Sequence, residues 1–402
     1  MRFPGFELCP LLLLLLLLPP VRSNGSVVID FEVGTMRNDR RMISKFCAFL
    51  LMVIRFQMRA ACSSSSPPPL APALYVFGDS LFDSGNNNLL PTLSKVNYLP
   101  YGHDFPRGAT GRFTNGRTVA DFLAEFMGLP YPPPYLSFRT SGVVTGLNFA
   151  SGACGILPET GSYSGKCLNL GDQVRLFESH AVNDLPRLLK SSDEVSANLA
   201  KSILAFAIGS DDYLENYLNP VLYSTSKTYE PPPFAKLLVA GLSQHLERLY
   251  NVGARKFVVF EIGPIGCMPT SAKKSKDGGV CDGGQNLLVS YFNQMLQPVL
   301  ENMTSSLAGS MFVLGRVNGL CYDAVINPSE YGLTDSKNPC CKTWGNGTLS
   351  CIPFLTPCPD AGKHFFWDGY HPTDVASSIL ASRCFNDTNV CSPISVQDLV
   401  QM

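Results

Sequence analysis

The chain predicts one large α/β domain built on a parallel sheet with helices on both faces, and three observations carry that expectation. Four short apolar runs, Ala73 to Phe77, Ser202 to Ile208, Lys256 to Ile262 and Met311 to Leu314, are each followed closely by glycine, as buried parallel strands tend to be. Between them lie stretches with helical apolar spacing, Thr118 to Met127, Phe234 to Tyr250 and Gln285 to Leu307; the last sets Leu287, Leu288, Tyr291, Phe292 and Leu296 on one side. No internal repeat and no linker interrupts this body. Strand, helix, strand in alternation is the signature of a parallel sheet covered on both faces. In such a sheet ligands bind beyond the carboxyl ends of the strands. Gly78-Asp79-Ser80, Gly209-Ser210-Asp211 and Gly263-Pro264 all fall at those ends, which makes that rim the expected site.

Of the 402 residues, 45% are hydrophobic and 16% charged, enough to bury a large core, and the formal net charge is -1. That balance offers no electrostatic reason to expect nucleic acid or an acidic membrane as partner. The sequence contains 14 cysteines, no Cys-x-x-Cys pair of zinc-ribbon spacing and only 5 histidines. Disulfides in an oxidising compartment account for the thiols better than metal does. From Cys154 onward the cysteines are odd in number, so one thiol is left over unless Cys62 joins them. Close spacing suggests the local staples Cys154–Cys167 and Cys267–Cys281.

Residues 1–70 read as a leader, processed or disordered. Leu11 to Leu18 is too short to span a bilayer and is followed by Pro-Pro and polar residues, as in a signal peptide. A second apolar stretch, Phe46 to Ile54, follows basic residues and precedes Ala60-Ala61-Cys62, which places the expected cleavage near Cys62. The body is expected over 71–393, with 394–402 as a tail. Acceptor triplets for glycosylation at Asn302, Asn346 and Asn386 agree with export.

Ser80 sits on the turn after the first strand, where its hydroxyl is exposed and the next helix would aim N–H groups at a reacting carbonyl. A serine nucleophile needs a base. Near the other end, Phe366-Trp367-Asp368-Gly369-Tyr370-His371-Pro372-Thr373 offers one: Asp368 can curl onto His371 across one turn, hold its tautomer and stabilise imidazolium. Pro372 suits the first position of a helix running to about Ser382. The other histidines, 103, 180, 245 and 364, lack such an arrangement. Phe82, Phe113 and Phe149 could line an acyl pocket but read more simply as core.

The stretch Phe77 to Asn87 (Phe-Gly-Asp-Ser-Leu-Phe-Asp-Ser-Gly-Asn-Asn) closely resembles the first block of the plant GDSL esterase/lipase family, within the SGNH hydrolases. Pro100 to Pro106 and Thr110 to Arg117 are similar to the segments that follow it. Asn148 to Gly155 resembles the second block, and Trp367 to Thr373 the last. The resemblance runs from about Ala73 to about Phe385. It implies a flavodoxin-like three-layer α/β/α sandwich with a central parallel sheet, the SGNH hydrolase fold. It also implies hydrolysis of a lipid, acyl or acetyl ester through an acyl-enzyme, with no cofactor and no metal. Ser80 would attack, His371 would shuttle the proton and Asp368 would orient it. The oxyanion would meet backbone N–H groups of Ser80 and of Gly155, with Gly152 the runner-up.

One position departs from the family. Its third block usually reads Gly-x-Asn-Asp, the Asn side chain being an oxyanion donor, whereas this chain has Gly209-Ser210-Asp211-Asp212. An ionised carboxylate only accepts hydrogen bonds and would repel an oxyanion. Three outcomes stay open: Asp211 is protonated and donates, the backbone donors suffice for a slow enzyme, or the fold is kept as a secreted binding glycoprotein without catalysis. Transfer of the acyl group to an alcohol instead of water is a further alternative.

Overall fold

The computed structural model describes residues 67–137, 142–275 and 279–402. The expected leader, apart from its last residues, and the expected cleavage near Cys62 lie outside the described residues.

Four parallel strands form where the apolar runs predicted them: β1 (Leu74–Gly78), β2 (Ile203–Ala207), β3 (Lys256–Phe260) and β4 (Met311–Gly315), adjacent in that order. A two-residue strand, β5 (Cys391–Ser392), adds antiparallel to β4 and was not foreseen. The segment around Asn148 lines the other edge of β1: Leu147 O accepts from Val76 N at 3.0 Å, and Phe149 N donates to Val76 O at 2.7 Å. Counting that segment, chain order across the parallel part of the sheet runs 2-1-3-4-5. This is the flavodoxin-like order, whose switch point lies between β1 and β2.

The longer helices are α1 (Val119–Phe126), α2 (Leu170–Ser179), α3 (Ser192–Lys201), α4 (Pro231–Val252), α5 (Gly283–Ser306), α6 (Val317–Ile326), α7 (Asp374–Asn386) and α8 (Val396–Gln401). Alternation along each strand sends successive side chains to opposite faces. Leu74, Val76, Ala205, Val258 and Val313 pack with buried residues of α1, α6, α7 and α8. Tyr75, Phe77, Phe206, Phe257 and Phe312 pack with α2, α4 and α5. On that second face a row of phenylalanine rings crosses the sheet: Phe149–Phe77, Phe77–Phe206 and Phe257–Phe312 stack with centroids 5.2, 4.6 and 4.3 Å apart. The result is the three-layer α/β/α sandwich.

Two local expectations change. The last residues do not stand apart as a tail, because α8 carries Val396, Leu399 and Val400 into the core. Pro372 precedes α7 instead of opening it: Thr373 is the N-cap, its hydroxyl accepting from Ala376 N.

Candidate active site

The β1 strand ends in a turn closed by Asp83 N donating to Asp79 O at 3.0 Å, and Ser80 stands half-buried on that turn. No helix follows Ser80 directly; the chain continues instead into a short 3₁₀ turn, Asn86–Leu89. The residues between serve to fix the loop. Asp83, fully buried, accepts from Gly85 N and Asn86 N at 2.7 Å each, and burial pushes its carboxyl up to about 6. Asn86 Nδ2 donates to Asn148 O and Ala150 O, while Asn87 Nδ2 donates to Gly152 O, at 2.8–2.9 Å. The first and second blocks are thus stitched together along the edge of β1.

Ser80 and His371, 291 positions apart, meet: His371 Nε2 lies 2.8 Å from Ser80 Oγ. His371 Nδ1 lies 2.8–2.9 Å from both oxygens of Asp368. Asp368 is fully buried and is also held by Tyr370 N and His371 N, each at 2.8 Å, and by Tyr101 Oη, which donates to Oδ2 at 2.6 Å. Burial would raise this carboxyl. The charge of His371 and the donors around it outweigh burial and hold it below the usual carboxylate range. Tyr101 in turn accepts from Cys351 N at 3.1 Å.

Cys351 belongs to a strap closed by the disulfides Cys340–Cys358 and Cys341–Cys351. The strap grips the Asp368 segment by backbone bonds: Cys340 N donates to Phe366 O, Cys341 N to Trp367 O, and Gly369 N to Leu349 O, at 2.9–3.0 Å. Trp367 is fully buried beneath it. The staples Cys154–Cys167 and Cys267–Cys281 form as their spacing suggested, Cys384–Cys391 ties α7 to β5, and Cys321 is a buried thiol without a disulfide partner among the described residues. Cys340, Cys358 and His364 cluster closely, but the two cysteines are joined to each other in one disulfide, so the group lacks the thiolates a metal would need.

A cleft of about 390 Å³ opens over Ser80 and His371, lined also by Tyr101, Phe113, Ala153, Asp211 and Tyr370. Neither Gly155, the expected second oxyanion donor, nor Gly152 is among the residues that line it. A Cβ on Gly155 would lie 2.3 Å from Asp212 Oδ1, so that glycine admits a carboxylate instead of a substrate. Asp212 accepts from Ile156 N (2.7 Å), Leu157 N (3.0 Å) and Thr160 Oγ1 (2.7 Å), clamping the loop; burial lifts its carboxyl to about 7. Gly152 N is committed to Asp83 Oδ2 at 3.2 Å. Ala153 does line the cleft, at φ 67°, a conformation costing an L-residue roughly 1–2 kcal/mol. Its N–H faces the carboxyl of Asp211.

Asp211 is buried on the same wall, and its Oδ2 has no hydrogen-bond partner among the described residues. Burial, then the neighbouring carboxyls of Asp79, Glu215 and Asp212, drive its proton affinity well above the ordinary range. Asp79 is itself buried and raised to about 6, chiefly by desolvation, although Ser210 Oγ donates to it at 2.6 Å and Leu81 N at 3.0 Å. The acidic wall therefore favours a proton on Asp211.

The segments that follow the first block send Tyr101 and Phe113 into the cleft, while Arg112 does not line it. Arg112 makes a buried bidentate pair with Asp121, both bonds 2.7 Å, and Asp121 completes the capping box of α1 with Thr118. Phe113 faces His371 with ring centroids 5.0 Å apart, Phe82 is buried in the core, and Phe149 belongs to the phenylalanine row. Among the other histidines, His103 is exposed beside Asp104 and His180 is buried against Asp184. Asn302, Asn346 and Asn386 are all solvent-exposed.

The GDSL-like lipase/acylhydrolase family model matches residues 74–384. Among curated proteins the chain is 45% identical to GDSL esterase/lipase 7 of Arabidopsis thaliana, over 83% of this chain and 93% of that one. Two further Arabidopsis thaliana GDSL esterase/lipases are 38% and 37% identical, covering 88% and 93% of this chain and 97% and 100% of their own length. With a family match from β1 into α7 and relatives aligned nearly end to end, this chain belongs to the GDSL lipase/acylhydrolase family, hydrolases acting on ester bonds.

Proposed function

We propose that the protein is a secreted carboxylic-ester hydrolase working through an acyl-enzyme on Ser80. The observation that carries this reading is the continuous line Ser80 Oγ, His371 Nε2, His371 Nδ1, Asp368, with both links at 2.8 Å. Ser80 Oγ attacks the ester carbonyl carbon while its proton passes to His371 Nε2. Collapse of the tetrahedral intermediate breaks the bond to the alkoxide, which leaves with that proton. Water then repeats the sequence in reverse: His371 takes its proton, hydroxide adds to the acyl carbon, and Ser80 Oγ leaves reprotonated. Asp368 stays ionised throughout and stabilises imidazolium. Tyr101 is a positioning residue that fixes Asp368.

The oxyanion would be received by Ser80 N–H and by Asp211 carrying a proton on its unpartnered Oδ2. A neutral carboxyl can donate where an ionised one would repel. Its neutrality is supported by burial and by three acidic neighbours. Secretion is supported by five disulfides among the described residues and by exposed acceptor asparagines at 302, 346 and 386. Among the described residues no helix is long and apolar enough to cross a membrane. The test is hydrolysis of a series of p-nitrophenyl esters by wild type and Ser80→Ala. Activity lost in Ser80→Ala supports the reading; activity that survives places the nucleophile elsewhere.

A further inference from the structure

Beneath the cleft lies a second cavity of about 90 Å³, between the carboxyl ends of β2 and β3 and helices α6 and α7. Its walls are mainly apolar: Phe82, Phe260, Val317, Cys321, Phe365 and Leu380. Of the polar groups on it, Glu261 Oε2 accepts from Asn318 N and Ser210 Oγ donates to Asp79. Leu81, Ser210, Met268 and Tyr370 line both this cavity and the catalytic cleft, so the two spaces adjoin beside the nucleophile. An apolar void of this kind stays dry and takes apolar ligands, and leaving it empty costs stability.

We infer that this cavity receives the acyl chain of the substrate, and that the preferred substrates are esters of short to medium fatty acyl groups. The inference rests on the acyl-enzyme reading, which puts the acyl carbonyl at Ser80 and so starts the chain at the shared wall. At roughly 30 Å³ for a water-sized group, the cavity accepts about three methylenes beyond the acyl carbons held in the cleft. Burying each methylene favours the transition state about fourfold, so butyrate and hexanoate esters should exceed acetate in kcat/KM by about tenfold or more. The gain should stop beyond that length.

The experiment compares kcat/KM for p-nitrophenyl acetate, butyrate, hexanoate and decanoate in wild type, Val317→Phe and Leu380→Ala. Filling the cavity in Val317→Phe should cut the hexanoate-to-acetate ratio by about tenfold, the worth of one to two buried methylenes. Enlarging it in Leu380→Ala should shift the optimum to a longer chain. Opposite shifts are not a product of general misfolding. An unchanged chain-length profile in both variants, or shifts of the same sign, overturns the inference. Protection of the Cys321 thiol separates failure of the cavity from failure of the esterase reading, because it needs no turnover. In full-length Ser80→Ala, hexanoate should slow iodoacetamide alkylation of Cys321 severalfold while acetate does not; equal rates with both acids refute an acyl site whether or not the protein hydrolyses esters.

Discussion

The two halves of the cleft are built on opposite principles. On one side, Asp368 is saturated: two backbone N–H groups, the Tyr101 hydroxyl and His371 all point at one buried carboxylate, and a disulfide-closed strap fixes the segment that bears it. On the other, Asp211 is also buried, has an oxygen with no partner among the described residues and faces other acids. The same side-chain type is therefore driven below its ordinary proton affinity in one place and far above it in the other. Donors decide the first case; desolvation and like charge decide the second. Paired groups whose environments push their proton affinities apart mark distinct chemical tasks. On the proposed mechanism, one carboxyl holds a base in place and the other presents a proton.

That contrast can be broken at its strongest point first. Ser80→Ala should remove about 10⁶-fold of turnover, leaving the residual catalysis of binding and oxyanion donors. Asp368→Asn should cost about 10⁴-fold with little change in fold, because an amide no longer enforces the His371 tautomer. Both are read from kcat with a p-nitrophenyl ester. A loss in Asp368→Asn of only a few-fold would mean that the saturated side is structural and the base is held by something else.

Asp211→Asn sharpens the other side. Asn donates at every pH, whereas Asp211 donates only below its own raised pKa, so turnover should rise by about tenfold or more at alkaline pH and change little in acid. Stability gives an independent sign. A carboxyl whose folded pKa exceeds its unfolded value favours the fold at low pH and loses that contribution as pH rises through the folded value. Asp79 and Asp83, raised to about 6, and Asp212, raised to about 7, add to the same trend. Thermal unfolding should therefore show Tm falling between about pH 4 and pH 7, with a shallower fall in Asp211→Asn.

The smallest effect is expected at Tyr101→Phe, which removes one donor from Asp368. Turnover should drop by about tenfold, the scale of one hydrogen bond to a charged group. Since that donor helps hold Asp368 below the usual range, its loss raises the Asp368 pKa, and activity should fail at a higher pH on acidification. A purely structural role would lower stability without moving that limb.

How much of this was legible in the sequence depended on the range over which each signal acts. The parallel strands announced themselves as apolar runs ending near glycine, and Ser80, Asp368 and His371 stood in motifs whose chemistry is local. The Asp-x-x-His spacing alone brings Asp368 onto His371. Tyr101 carried no such sign, because its partner lies 267 positions away and only the fold unites them. The resemblance points to a glycine, Gly155, for the second backbone donor. Gly155 serves close approach of the Asp212 carboxylate, while the residue of that block that lines the cleft is Ala153, with no side-chain chemistry to betray it. Strand β5 is too short to leave a pattern, and it depends on Cys384–Cys391 and on pairing to β4. Local staples followed from spacing; the paired disulfides of the strap did not, since adjacent Cys340 and Cys341 allow either partner.

The central claim, that a protonated Asp211 completes the oxyanion site, is tested most directly by the pH dependence of kcat/KM in wild type and Asp211→Asn on one ester. The account predicts an alkaline decline in the wild type that disappears in Asp211→Asn. The same alkaline profile in both proteins would contradict it.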